Sequence, residues 1–127
     1  NVLMGQIVRE ADVALFPNRC EGGTNLVAME CMAAGIPTIV SANTGHLDLT
    51  ATGGCFALRT QRQVQPPTRY FRGIDGWGES DVDEMVDLLE RLYADRALAS
   101  ARAAVGAAAM ASLTWSSQVD ALLRTIQ

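Results

Sequence analysis

Residues 13–41, VALFPNRCEGGTNLVAMECMAAGIPTIVS, decide how the chain folds. VALFP is an apolar run of strand length that stops at Pro17, which has no N–H to give a ladder and so marks a strand end. NRCEGG follows as a polar, glycine-rich loop, with Thr24 and Asn25 as candidate N-caps for the helical run LVAMECMAA. Gly35 and Pro37 are stop signals, and TIVS at 38–41 is a second apolar strand. The stretch reads as a β-loop-α-β unit and predicts an α/β fold with parallel strands.

From Leu26 to Ala34 every residue is apolar except Glu30. Such a helix has no wet face, so it is expected to lie buried between the sheet and other protein. A lone carboxylate there costs several kcal/mol unless something meets it, either a structural partner such as an arginine or a ligand. The glycine loop between Glu21 and Glu30 adds weight to the ligand. It sits at the carboxyl end of a strand, where open α/β sheets bind small molecules.

EGGTNLVAMECMAAGIPTIVS resembles the donor-binding signature of retaining glycosyltransferases of the GT-B fold. That signature is Glu, seven residues, Glu, then Ala/Cys-x-Gly-x-Pro and two hydrophobic residues. Here Glu30 stands nine positions after Glu21, one more than in the family. Counting back from Glu30, the extra residue falls within Gly22–Thr24, which leaves the helix register undisturbed. ANTGHLDL is similar to the family's Gly-His-x-Glu-Leu loop, and Thr114–Trp115 to a Phe-Ser-Trp near its C-terminus. The resemblance implies a partial Rossmann-like three-layer domain, with a parallel sheet of about three strands flanked by helices. It also implies that residues 1–127 are the C-terminal portion of a nucleotide-sugar-binding domain and one piece of a longer enzyme. In such a domain VALFP would lie beside a strand that is not in this sequence. An exposed strand edge pairs readily, so a two-fold homodimer of the piece is the expected form.

By the same carry-over, Glu21 contacts the donor sugar and is the catalytic candidate, and Glu30 accepts from the ribose diol. Gly22, Gly23, Thr24, Asn25 and Leu26 would cradle the diphosphate at the helix N-terminus, whose free N–H groups and positive dipole end suit an anion. Arg19 is the local cation. As a loop arginine beside Glu21 it is read first as a solvated or structural partner. The family uses no metal and no cofactor beyond its nucleotide-sugar substrate, so neither is expected. His46 is the single histidine, which leaves no histidine cluster for zinc. It reads as a loop anchor, with a His46–Asp48 proton relay as the alternative. No Gly-x-Ser-x-Gly elbow is present for a hydrolase.

At 127 residues and 49% hydrophobic, the chain can build one core and not two. A net charge of −4 opposes nucleic-acid binding, which needs basic surface. Three scattered cysteines without a Cys-x-x-Cys fit packing in a reducing cytoplasm. No run approaches the roughly 18 apolar residues that span a bilayer.

Val2–Glu10 has the pattern of a helix end, His46–Ala51 that of a short helix, and CFALRT that of a third strand. Gln61–Gly78, with two prolines and three glycines, reads as a long surface loop. Ser80 is the expected cap of a covering helix with an apolar stripe at Val82, Met85, Val86, Leu89, Leu92 and Tyr93. A second helix runs through the alanine-rich 96–111. A third places Trp115, Val119, Leu122, Leu123 and Ile126 on one face. The activity implied is transfer of a sugar from a nucleotide diphosphate sugar to an acceptor that the sequence does not identify. The piece alone is expected to be inactive, since transfer needs both reactants held in one cleft. The rival readings are another enzyme of the same fold, such as a nucleotide-sugar epimerase or a phosphorylase, and a non-catalytic binding or assembly module.

Overall fold

The computed structural model describes residues 2–66 and 73–126. In chain order the elements are α1 (Val2–Val8), β1 (Ala14–Phe16), α2 (Leu26–Ala33), β2 (Thr38–Ser41), α3 (His46–Ala51) and β3 (Phe56–Leu58). There follow β4 (Gln61–Gln63), β5 (Gly78–Ser80), α4 (Val82–Ala94), α5 (Arg96–Ser112) and α6 (Trp115–Thr125). Strands β1, β2 and β3 form a parallel sheet in that order, with Leu15 opposite Ile39 and Ile39 opposite Phe56. The α/β, partial Rossmann-like architecture read from the sequence is the observed one.

β2 is the centre of the sheet and all four of its residues are buried. Successive strand side chains point to opposite faces, and a parallel sheet must be covered on both. Val40 accordingly packs with Ala28 and Met32 of α2, Leu49 of α3 and Met110 of α5. Ile39, on the other face, packs with Phe56, Leu58, Leu92 of α4 and Ala99 at the start of α5. Helix α5 therefore begins in one layer and ends in the other.

That crossing depends on two glycines. A Cβ on Gly106 of α5 would stand 2.6 Å from the Gly54 carbonyl oxygen, and a Cβ on Gly54 would meet the Gly106 backbone equally closely. Arg102 fastens the same junction: it donates to the Gly53 carbonyl at 2.9 Å and lies over the Phe56 ring at 5.2 Å from its centroid. Glu84 of α4 grips the opposite corner, accepting from the backbone N–H groups of Arg59 and Thr60 at 2.9 and 2.8 Å.

Three readings need correction. The segment 61–78 is not a loop throughout, because its ends pair as the antiparallel ribbon β4–β5, with Gln61 opposite Ser80. Its stretch 67–72 lies outside the described residues. The cap of α4 is Asp81, whose carboxylate accepts from Asp83 and Glu84 N–H, while Ser80 is buried in β5. Finally, α4 turns Met85, Leu88, Leu89 and Leu92 inward, leaving Val82, Val86 and Tyr93 exposed. Helix α6 buries no residue, and Trp115 is 89% exposed. Among the described residues no single helix is long and apolar enough to cross a membrane.

Replacing Gly106 by alanine forces α5 away from Gly54, and overpacking of this kind costs about 1–3 kcal/mol. The midpoint of urea unfolding should fall accordingly, and an unchanged midpoint would show that α5 can shift freely.

Candidate functional site

Parallel strands raise their following loops to one rim. Here the loop after β1, the loop after β2 and the β4–β5 ribbon meet there, joined by hydrogen bonds rather than by apolar contact. The Glu21 N–H donates to Thr44 Oγ1 at 2.6 Å, and the Gly45 N–H to the Glu21 carbonyl at 3.2 Å. A Cβ on Gly45 would collide with the Gly23 carbonyl, so only glycine lets the two loops touch. Thr44 holds φ at 40°, a left-handed conformation unusual for a β-branched residue, which occurs at sites where the surroundings over-determine the backbone.

A buried polar network stands behind the rim. Gln61 donates to Ser80 Oγ at 2.8 Å, Ser80 to Ser41 Oγ at 2.9 Å, and Ser41 to the Phe16 carbonyl at 3.3 Å. Asn43, also buried, donates to the Asn18 carbonyl, the Gln61 side-chain oxygen and the Gly78 carbonyl at 2.9, 2.9 and 3.1 Å. It accepts in turn from Thr44 Oγ1 at 3.1 Å.

Asn25 is the N-cap of α2, and its Oδ1 accepts from the Ala28 N–H at 3.0 Å. That bond fixes the amide, so Nδ2 faces His46 Nε2 at 3.0 Å and donates to it. The neutral ring then carries its proton on Nδ1, which is buried and makes no hydrogen bond of good geometry among the described residues, only a weak interaction with the Ser41 backbone. Burial pushes the His46 imidazole below its ordinary value, against the upward pull of the Glu21 charge and the Ser41 backbone. His46 is thus the loop anchor expected of it. The relay with Asp48 is not formed, because Asp48 is exposed and the ring bonds Asn25 instead.

Glu21 is half-buried and accepts from Asn18 Nδ2 at 3.2 Å. Gly22, Gly23 and Thr24 are exposed, and Leu26 is 71% exposed. The expectation of a buried Glu30 fails. Residues 26, 27, 30 and 33 form the outer face of α2, so the carboxylate stands in solvent and makes no hydrogen bond or ion pair among the described residues. Only Ala28, Cys31 and Met32 of that helix are buried. Glu30 borders a shallow cleft of about 230 Å³ with Leu26, Met29, Ala33, Met110 and Leu113. Arg19 pairs with Glu79 at 2.7 Å and not with Glu21, both side chains being largely exposed. A roomier cleft, about 670 Å³, lies between Val13, Leu89, Tyr93 and Arg96 at the opposite end of the sheet, away from every one of these groups.

Among the described residues no three His, Cys, Asp or Glu side chains gather as metal ligands. The cysteines are free: burial pushes the Cys55 thiol up to about 11 and raises that of Cys31, which marks them as packing groups. Asn43, Thr44 and Gln61 were missed in the sequence reading. An Asn-Thr-Gly after a strand signals a turn, but nothing in it announces which carbonyls the asparagine will meet.

Residues 4–122 match the model of the family described as Family 4 Glycosyltransferase in conflict systems. The chain belongs to that family. Neither the curated proteins nor the solved structures yield a match. Glycosyl transfer is therefore the family's chemistry.

His46 makes stability pH-dependent. Its folded pKa lies below the unfolded value of 6.5, so the unfolded state binds the proton more readily, and stability present above pH 6.5 is lost as pH falls toward the folded pKa. Thermal melts from about pH 7.5 to about pH 5 should show this slope, and His46→Gln should flatten it.

Proposed function

We propose that residues 1–127 are the C-terminal portion of the donor-binding domain of a retaining GT-B glycosyltransferase, and that the rim at Glu21–Leu26 binds a nucleotide diphosphate sugar. The observation that supports this most is the state of Gly22 and Gly23. A Cβ on either would meet nothing within 4 Å, and neither has a positive φ. The fold itself makes no demand for glycine there, whereas a ligand approaching the backbone does.

The division of labour follows from position. Asn25 takes the Ala28 N–H with its side chain and the Met29 N–H with its carbonyl, while the Leu26 and Val27 N–H groups make no hydrogen bond among the described residues. With the positive end of the α2 dipole they form a seat for the diphosphate. Glu21, across the loop, takes hydroxyls of the sugar. Glu30 lies one turn beyond Leu26 on the same face, where its carboxylate accepts from a ribose diol. Its exposure suits this better than burial would, because the carboxylate keeps its hydration until the ligand arrives. With Arg19 held by Glu79, charge neutralisation at the diphosphate falls to the helix end.

Glu21→Gln and Glu30→Gln should each lower affinity for the donor about tenfold, the scale of one lost charge-assisted hydrogen bond. Glu30→Gln should leave stability within about 0.5 kcal/mol of the parent, as is usual for exposed positions, and Glu21→Gln, half-buried but keeping an acceptor for Asn18, within about 1 kcal/mol. Titration calorimetry with UDP-glucose, GDP-mannose and ADP-glucose, a transfer assay and thermal melts measure these quantities. Unaltered affinity with a lowered melting temperature would make the two carboxylates structural. Binding without transfer by the enzyme containing this domain would favour the non-catalytic module, and sugar inversion without transfer the epimerase.

A further inference from the structure

We propose that Asn43 is a positioning residue for Glu21, a latch that sets where its carboxylate stands in the donor site; the role rests on the donor-site reading above.

The loop between β1 and α2 needs such a device. Its apex, Gly22 to Thr24, is exposed, and it carries one residue more than the spacing of the signature it resembles. Glu21 is therefore held from behind, at three points: Asn18 Nδ2 on its carboxylate, Thr44 Oγ1 on its N–H and the Gly45 N–H on its carbonyl. Asn43 governs the first two. Its Nδ2 fixes the Asn18 carbonyl at 2.9 Å, and its Oδ1 accepts the Thr44 hydroxyl proton at 3.1 Å. With that proton directed away, a lone pair of Thr44 Oγ1 is turned to the Glu21 N–H.

Asn43 is 4% exposed and is held by the ribbon through Gln61 and Gly78. Its two amide protons serve three oxygens, so one is shared. Only an uncharged amide donates on one side and accepts on the other here. An aspartate would set a carboxylate oxygen against those three acceptors, and an apolar residue would leave them unmet. The side chains of the latch make no hydrogen bond to the α2 N-terminus or to Glu30; the link that does exist, from the Asn43 carbonyl through the His46 N–H at 3.1 Å to Asn25, runs through backbone that substitution of the Asn43 or Thr44 side chain leaves in place. Releasing it should thus disturb the sugar end of the donor while leaving the diphosphate and nucleoside contacts in place. A purely structural asparagine would impair both ends alike.

The test uses the full chain with three pairs of probes: UDP-glucose with UDP, GDP-mannose with GDP, and ADP-glucose with ADP. Asn43→Ala is the direct variant. Thr44→Val, which removes one oxygen at a half-buried position, guards against misfolding of the first, and Thr44→Ser restores the hydroxyl. Both Asn43→Ala and Thr44→Val should speed hydrogen exchange of the Glu21 amide about tenfold and weaken binding of the sugar nucleotide about tenfold, the equivalent of one hydrogen bond. Binding of the matching nucleoside diphosphate should stay within about twofold, and Thr44→Ser should behave as the parent. Equal weakening of both members of a pair overturns the positioning role, and so does unchanged exchange at Glu21. A parent chain that binds none of the three pairs overturns the donor-site reading and this role with it. The exchange rates then still report whether the latch holds, so the two failures remain distinct.

Discussion

Every residue of the central strand is buried, and the strand ends in polar groups. Thr38, Ser41 and, just beyond, Asn43 have almost no access to water, and an unmet hydroxyl or amide in such a place costs about 1–3 kcal/mol. Thr38 is satisfied locally, donating to the Ile36 carbonyl at 2.9 Å. Ser41 and Asn43 are not, and their partners come from Phe16, Asn18, Gln61, Gly78 and Ser80, as far as 39 positions away in the chain. Meeting those two side chains draws the loop after β1 and the β4–β5 ribbon to the same end of the sheet. The rim is a consequence of that requirement.

The apolar layers and the polar rim hold the molecule in different ways. The hydrophobic term in the layers is non-directional, and Asn25 adds direction to it by tying the first turn of α2 to His46. Hydrogen bonds at the rim have direction, and they fix where Glu21 stands relative to the end of α2. Among the described residues, Arg19 and Arg62 near this region are each engaged with an acid, Glu79 and Asp81. The open N–H groups at the start of α2 and the positive end of its dipole act only over the first turn.

Much of the fold was legible because its signals are local. Pro17 ends β1, Asn25 caps α2, Gly35 at φ 75° ends that helix, and the Gly-Pro spacing introduces β2. His46–Ala51 and Phe56–Leu58 lie within the segments predicted for them. The β4–β5 ribbon was hidden for a physical reason: Gln61-Arg62-Gln63 and Gly78-Glu79-Ser80 have no apolar alternation, since they pair at a polar rim rather than over a core. The capping of α4 shifted by one residue because Ser80 was needed elsewhere, as the donor to Ser41.

By itself the sequence determined the β-loop-α-β order, the parallel sheet and the candidate carboxylates, because periodicity, caps and stop residues act within a few positions of where they stand. It could not determine which face of α2 meets the sheet. An all-apolar helix offers every face, and only the packing of Ala28, Cys31 and Met32 against the sheet, with α5 behind, turned Glu30 and Leu26 outward. Nor could it show what Asn43 and Thr44 hold. Apart from the one between Asn43 and Thr44 themselves, those bonds join residues 18 to 35 positions apart, and such pairings exist only once the sheet, the loop and the ribbon have been brought to one place.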